Sequence, residues 1–168
     1  MIGVGEQFPS MHLQGVDLDN SIMDIDILAP SEWSVIYFYP KDFTFICPTE
    51  ITAMDKLVDD ADVIGVSGDN EFCKIAWKTA DGRIRNIKHI LAADCGLVLA
   101  SKLGIVDKQE NVCLRATYII DPEGVIQHVS VNALDTGRNA QEVLRTLQAL
   151  KSGGLTGCAW EPEDDFVA

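Results

Sequence analysis

Residues 33–50 have the sequence WSVIYFYPKDFTFICPTE. The β-branched and aromatic run 33–39 ends at Pro40, which predicts a buried strand. Pro48 follows Cys47, and the apolar residues beyond it recur at helical spacing, so a helix with proline in its first turn is expected there. The apolar positions of that helix are Ile51, Met54, Leu57, Val58 and Ala61. Residues 62–67 predict a second strand, parallel to the first through a right-handed crossover.

Three helices are predicted further along the chain. Asn70 is a suitable N-cap for the first of them. A short helix is expected at 97–103. The last helix has the clearest signals, because it begins at a capping Asn139 and ends before Gly153.

Two β-rich runs, 116–120 and 125–131, flank the tetrapeptide DPEG at 121–124. Proline at its second position and glycine at its fourth are typical of a turn, so the two runs should form a hairpin. The sequence therefore predicts an α/β protein with a mixed central β-sheet flanked by helices, as in a thioredoxin-like fold. We expect residues 1–152 to form this domain and residues 153–168 to form a flexible C-terminal tail.

Composition narrows the possible functions. The chain has 168 residues and a formal net charge of −13. Nucleic acids and anionic membrane surfaces bind clustered Lys and Arg, so neither is an expected partner. No apolar run approaches the roughly 18 residues of a membrane span. The N-terminal sequence lacks the pattern of a secretion signal, which predicts a cytoplasmic protein.

The number and spacing of the cysteines point to redox chemistry. An odd count in a cytoplasmic chain argues against a disulfide scaffold and for free or reactive thiols. There is no Cys-x-x-Cys pair, and the three histidines lie far apart in sequence, so no zinc or other metal site is expected. The five cysteines are Cys47, Cys73, Cys95, Cys113 and Cys158.

Cys47 occupies the position where a loop becomes a helix. Unpaired backbone N–H groups and the positive end of the helix dipole favour a thiolate there. A helix terminus contributes about 0.3–1 kcal/mol, or up to ~2 when partly buried. An activated thiolate needs roughly 3–4 kcal/mol of preference for the anion, so a cation is required as well. Thr44 can bring a hydroxyl near the sulfur, and Pro40 and Pro48 stiffen the loop.

This segment closely resembles the peroxiredoxins, in particular the bacterial AhpC branch of the typical two-cysteine group within the AhpC/TSA family. The family pattern Pro-x-x-x-Thr/Ser-x-x-Cys is met by Pro40, Thr44 and Cys47. The family also has an arginine just before a strand that ends Ile-Ile-Asp, and here Arg115 precedes Ala-Thr-Tyr-Ile-Ile-Asp. The resemblance implies that Arg115 is the required cation.

Further residues take roles by the same resemblance. Arg138, which follows Gly137, would pair with Glu50 and hold the active-site loop. Trp77 would pack near that loop, although ordinary core packing is the simpler role for it. Cys158 would be the resolving cysteine, contributed by the partner subunit of a dimer; an idle surface thiol is the alternative.

The resemblance implies a thiol-specific peroxidase that reduces hydrogen peroxide and organic hydroperoxides, an antioxidant function in cell redox homeostasis. Cys47 would become a sulfenic acid and then form a redox-active disulfide with Cys158. A dithiol protein that is AhpD-like, AhpF-like or thioredoxin-like would reduce it, and no metal, haem or flavin cofactor would be needed. The homodimer would assemble into a ring, a decamer. Cys73, Cys95 and Cys113 are expected to be ordinary cysteines.

Two other functions remain possible from the residues. A thiol–disulfide exchanger would need a second cysteine three positions after Cys47, where this chain has Glu50. A structural or chaperone-like ring would have no need of Thr44, Cys47 and Arg115 together.

Overall fold

The computed structural model describes residues 1–28 and 32–168. This part of the chain contains nine strands, four α-helices and a short 3-10 turn at Asp55–Leu57. The strands are β1 His12–Val16, β2 Ile22–Asp26, β3 Ser34–Phe38, β4 Asp62–Ser67, β5 Ile90–Ala93, β6 Val106–Asp107, β7 Val112–Cys113, β8 Arg115–Ile120 and β9 Ile126–Asn132. The helices are α1 Cys47–Met54, α2 Glu71–Ala80, α3 Val98–Leu103 and α4 Ala140–Ser152.

Seven of the strands described form one mixed sheet in the order β2-β1-β5-β4-β3-β8-β9. The central strands β3, β4 and β5 are parallel, with Ser34 opposite Asp62 and Ile64 opposite Ile90. The pairs on both sides of this centre are antiparallel. The predicted α/β class, with a mixed sheet flanked by helices, is confirmed.

Strand β3 is buried along its whole length, as its apolar sequence predicts. Its side chains alternate between the two faces of the sheet, so the core has two layers. Val35 and Tyr37 pack with residues of α1 and α4, whereas Ile36 and Phe38 pack with residues of α3. The loop that leaves β3 therefore starts from a fixed point at the carboxyl end of a central strand.

The predicted hairpin and last helix are both present. Asp121 accepts hydrogen bonds from the N–H groups of Glu123 and Val125, at 3.0 and 2.9 Å, which closes the turn between β8 and β9. Asn139 caps α4 through its side chain, as predicted. Gly153 ends α4 in the left-handed conformation at φ +71°, which glycine adopts without strain.

The helix after Cys47 is shorter than its sequence pattern predicts. The apolar spacing continues to Ala61, but α1 ends at Met54 and the 3-10 turn follows. Asp55 explains the early end, because its carboxylate accepts hydrogen bonds from Lys88 and His89. A tertiary contact therefore overrides the local helical pattern. The hairpin of β1 and β2 and the strand β5 were also not predicted.

The C-terminal segment 153–168 folds back on α4. Trp160 is buried, and its ring stacks on Phe166 with a centroid separation of 5.9 Å. The Trp160 carbonyl accepts a hydrogen bond from Arg145 of α4. A flexible tail was expected, and its mobility in solution stays a prediction. None of the helices described is long and apolar enough to cross a membrane.

Candidate active site

Cys47 is the first residue of α1, directly after the loop from β3. Its side chain is 1% exposed and lies in the core layer that contains Tyr37 and Trp77. Because the helix begins at Cys47, the positive end of its dipole lies at the sulfur. The sequence prediction of a loop-to-helix junction at this cysteine agrees with the structure.

The guanidinium of Arg115 contacts the Cys47 sulfur. Arg115 is the first residue of β8, and its Nη1 donates to Cys47 Sγ at 3.4 Å. The same nitrogen donates to Glu50 Oε2 at 2.7 Å, and Nε donates to the Leu134 carbonyl at 2.7 Å. These contacts fix the guanidinium plane, because two of its three nitrogens, Nε and Nη1, are held by acceptors.

A second arginine completes the ion cluster. Arg138 Nε donates to Glu50 Oε1 at 3.0 Å, and its backbone N–H donates to the same oxygen. Its Nη1 donates to the Ala116 carbonyl and to Thr117 Oγ1. Two guanidinium groups surround one carboxylate, all of them buried, so the cluster carries an excess of one positive charge. A thiolate at Cys47 would balance that charge.

The sulfur faces a surface cavity of about 290 Å³. Thr44 lines it, and its Oγ1 donates to the Lys41 carbonyl at 2.8 Å, which leaves the oxygen lone pairs free to accept a hydrogen bond. Cys158 is not among the lining residues. The cavity is lined by Pro40, Lys41, Thr44, Cys47, Glu110, Val112, Arg115 and Leu134.

A buried ion pair that the sequence analysis missed holds the base of the loop. Lys74 Nζ donates to Ser67 Oγ at 2.6 Å and to both Asp42 carboxylate oxygens at 3.3 Å. Lys74 and Asp42 have side chains that are fully buried. A lysine inside the apolar pattern of α2 was the available signal. Burial of an ion pair requires its partners to be fixed, so this contact anchors the loop to β4 and α2.

Trp77 packs beside the loop. Its ring centroid lies 6.0 Å from that of Phe43 and 6.1 Å from that of Tyr39. Both the predicted position near the loop and the simpler role in core packing agree with these contacts.

The alkyl hydroperoxide reductase C of Mycolicibacterium smegmatis is 36% identical over 99% of this chain and 94% of its own length. The family model described as "AhpC/TSA family" matches residues 4–129. The chain belongs to the AhpC/TSA family. The predicted resemblance to peroxiredoxins is thereby confirmed, together with the class of enzyme that it implied, a thiol-specific peroxidase.

Two solved structures are similar to the structure of this chain over most of its length. The reduced 2-Cys peroxiredoxin of Plasmodium vivax has a TM-score of 0.90 at 32% identity and covers 98% of this chain and 92% of its own. The AhpC of Mycobacterium tuberculosis has a TM-score of 0.82 at 35% identity and covers 90% and 99% of the two chains. The predicted thioredoxin-like fold is confirmed.

Cys73, Cys95 and Cys113 lie in environments that oppose ionisation. Burial raises the pKa of Cys113 to about 12 and that of Cys73 to about 11. Burial also raises the pKa of Cys95. The thiolate is the reactive form of cysteine, and in the part of the chain that the structure describes none of these three cysteines has a guanidinium on its sulfur as Cys47 does. Among the residues described, no group of three or more potential ligands could hold a metal ion.

Proposed function

We propose that this chain reduces hydrogen peroxide and organic hydroperoxides with Cys47 as the attacking nucleophile. The observation that carries the proposal is the Arg115 guanidinium, 3.4 Å from the Cys47 sulfur and ion-paired to Glu50. Preorganised donors aimed at developing charge are a large term in catalysis. A cavity that also contains Thr44 and Pro40 gives a peroxide access to the sulfur.

The first step is a displacement at oxygen. The Cys47 thiolate attacks the terminal peroxide oxygen, the O–O bond breaks, and Cys47 becomes a sulfenic acid. The leaving alkoxide or hydroxide takes a proton from solvent and departs as alcohol or water. Arg115 stabilises the negative charge as it moves from sulfur to oxygen, and Thr44 accepts a hydrogen bond from the peroxide O–H.

The second step uses Cys158. Its thiol condenses with the Cys47 sulfenic acid to give a disulfide and water. The exposed position of Cys158, in a segment outside the Cys47 cavity, supports attack on the Cys47 of a partner subunit. A dithiol protein, AhpD-like, AhpF-like or thioredoxin-like, then reduces the disulfide by exchange. Glu50, Arg138 and Trp77 position the loop and take no part in bond formation.

Exposed aromatic side chains support assembly of the homodimer into a ring, which we propose is a decamer. Phe45 is 94% exposed and Phe43 is 55% exposed. They line one surface cavity together with the buried Trp77. Large exposed aromatic groups next to an apolar core commonly mark protein interfaces. The net charge of −13 supports the absence of nucleic-acid and anionic membrane partners, and we propose a cytoplasmic location.

Rapid mixing with hydrogen peroxide in the absence of reductant tests the first step. The wild-type chain and Cys158→Ser should each consume one equivalent per Cys47, whereas Cys47→Ser should consume none. Peroxide-treated wild type should run as a disulfide-linked dimer on a non-reducing gel, and Cys158→Ser should not. Consumption by Cys47→Ser would refute the role of Cys47. A linked dimer in Cys158→Ser would refute that of Cys158.

A further inference from the structure

The three tyrosines of this chain have different hydrogen-bond partners, although all are buried. The Tyr37 hydroxyl lies 2.7 Å from His89 Nε2. The Tyr39 hydroxyl accepts a hydrogen bond from the Lys74 ammonium at 3.2 Å. The Tyr118 hydroxyl has no partner among the residues described. Tyr37 is therefore the tyrosine that faces a histidine.

The partners of His89 determine which way the proton points. His89 Nδ1 lies 2.7 Å from Asp55 Oδ1, and a carboxylate only accepts hydrogen bonds, so Nδ1 carries the proton. Burial lowers the pKa of His89, and Asp55 only partly opposes this shift, so the ring is neutral at neutral pH. Nε2 is then an acceptor, and Tyr37 donates its O–H to it. The distance is within the reach of direct proton transfer.

The structure makes room for this pair. Gly65 on β4 is the register partner of Tyr37 on β3. A Cβ atom on Gly65 would lie only 2.5 Å from the Tyr37 hydroxyl oxygen. A larger residue there would displace the hydroxyl, so the glycine is required by the position of the tyrosine rather than by a turn.

A chain of aromatic rings connects Tyr37 with the surface. The ring centroids of Tyr37 and Tyr39 are 6.2 Å apart, and those of Tyr39 and Trp77 are 6.1 Å apart. Trp77 in turn lines the surface cavity that contains Phe43 and Phe45, so it is reached from solvent whenever this cavity is not covered by a neighbouring subunit. Electrons can move between rings at such separations, so an oxidation that begins at Trp77 has a path to Tyr37.

We propose that Tyr37 is a redox-active tyrosine that accepts one-electron oxidising equivalents entering at Trp77 and transfers its proton to His89. The oxidants are alkoxyl or peroxyl radicals, the class that forms from hydroperoxides. Such a radical takes one electron from Trp77 and one proton from solvent, and becomes an alcohol or a hydroperoxide. Trp77 regains its electron from Tyr37 through Tyr39.

The proton balance favours Tyr37 as the end of the path. When Tyr37 loses its electron, its hydroxyl proton moves to His89 Nε2, and the imidazolium that forms is paired with the Asp55 carboxylate. The Tyr39 oxygen instead contacts Lys74, whose ammonium is paired with the Asp42 carboxylate, and within the described residues it has no neutral imidazole like His89. The Arg138 guanidinium lies 5.0 Å from the centroid of the Tyr37 ring and opposes loss of an electron there, a cost that the proton transfer to His89 offsets. A thiol later returns one electron to Tyr37, becomes a thiyl radical and releases its proton to solvent, and the proton on His89 Nε2 moves back to the Tyr37 oxygen. Cys47 lies in the same core layer. Transfer of the oxidising equivalent to Tyr37 therefore protects the Cys47 sulfur from conversion to a thiyl radical.

Pulse radiolysis of the full chain with azide radicals, which oxidise tryptophan, tests the proposal. In the wild type, the tryptophan radical should decay as a tyrosyl radical rises, at a rate independent of protein concentration. Tyr37→Phe should lose the tyrosyl signal. Tyr118→Phe is the matched control, since it removes a buried hydroxyl without a partner, and it should keep the signal. Trp77→Phe should slow the rise.

Several results would overturn the proposal. These are a tyrosyl signal that persists in Tyr37→Phe, a signal lost in Tyr118→Phe, and a rise unaffected by Trp77→Phe. If Tyr37→Phe does not fold, the unaltered chain labelled with ¹⁵N-histidine gives the answer by electron–nuclear double resonance. Magnetic coupling between the tyrosyl radical and a histidine nitrogen supports Tyr37, and its absence refutes it. The test does not depend on peroxide attack by Cys47.

Discussion

Both proposed redox cysteines have a glutamate–arginine pair nearby, but the two pairs differ in burial. Glu50 next to Cys47 has a side chain that is 2% exposed, between the buried Arg115 and Arg138. Arg145, which bonds the carbonyl of Trp160 two residues after Cys158, pairs with Glu142, whose side chain is 56% exposed. Here Arg145 Nε and Nη2 each donate at 2.7 Å to one carboxylate.

Similar contacts therefore have different consequences. In the core, the low effective dielectric strengthens each charge interaction, and loss of one partner leaves the other charge uncompensated. At the surface, water screens the pair and the contact contributes little. Cys47 thus lies in the buried core of the chain, whereas Cys158, the proposed resolving cysteine, lies on a segment held by surface contacts.

The largest difference is expected for the two carboxylates. Glu50→Gln should lower the free energy of unfolding by about 3–5 kcal/mol, because it leaves buried guanidinium charge without its partner. The matched change Glu142→Gln should cost about 0.2–1 kcal/mol. Urea unfolding of both variants measures the contrast, and equal losses would show that burial does not distinguish the two clusters.

The arginines should differ in catalysis. Arg115→Met should slow oxidation of Cys47 by hydrogen peroxide by about 10²–10³-fold, the usual loss when one charge-stabilising donor is removed. Arg115→Lys keeps the charge without the fork and should lose less. Rapid-mixing kinetics measure this step.

Arg145→Met is the control for that experiment and should leave the rate of Cys47 oxidation unchanged. If Arg145→Met slowed the first step as much as Arg115→Met, then the guanidinium contact at 3.4 Å would not explain the rate.

The stability of the buried region should also depend on pH. Burial lowers the pKa of His89 from 6.5. Partial burial pushes the pKa of Asp55 upward, but hydrogen bonds from His89 and Lys88 outweigh it and hold that pKa below 3.8. In both cases the unfolded chain binds more protons, so stability is full above pH 6.5 and falls as the pH drops below it.

Each proton taken up on unfolding changes the free energy of unfolding by at most about 1.4 kcal/mol per pH unit. The urea midpoint should therefore decrease between pH 7.5 and 5.5, and His89→Gln should flatten that decrease. Burial also lowers the pKa of His128, so His128→Gln should flatten the decrease as well. A wild-type midpoint that does not change over this range would contradict the assignment.

The smallest global effect is expected from Trp160→Ala. Removal of the ring that stacks on Phe166 should increase amide hydrogen exchange across 153–168. Global stability and the rate of Cys47 oxidation should change little. The stack of Trp160 on Phe166 and the hydrogen bond from Arg145 to the Trp160 carbonyl both lie outside the Cys47 cavity. If exchange in the segment stayed slow, then Trp160 would not be what holds it against α4.

Local signals in the sequence were sufficient for much of the architecture. The buried strand β3, the DPEG turn and the Asn139 cap depend on residues close in sequence, and the structure agrees with all three. The early end of α1 and the hairpin of β1 and β2 were missed. The first depends on Lys88 and His89, more than thirty residues away, and no local pattern contains that information.

The same division applies to the candidate site. The motif around Cys47 and the resemblance of Arg115, Glu50 and Arg138 to family positions identified the ion cluster. Nothing local indicated that Lys74 would pair with Asp42, or that Tyr37 would meet His89 across the core. Such pairs form only when separate strands and helices pack.

The sequence by itself determined the strand–helix–strand unit around Cys47, the hairpin of β8 and β9, the last helix and the excess of acidic charge. These follow from periodicity, turn chemistry and composition, which act over a few residues. Only the tertiary structure decided which distant charges share a buried carboxylate, which tyrosine has a base, and how the segment with Cys158 lies on α4. Burial and distance set the strength of those interactions, and both are properties of the packed chain.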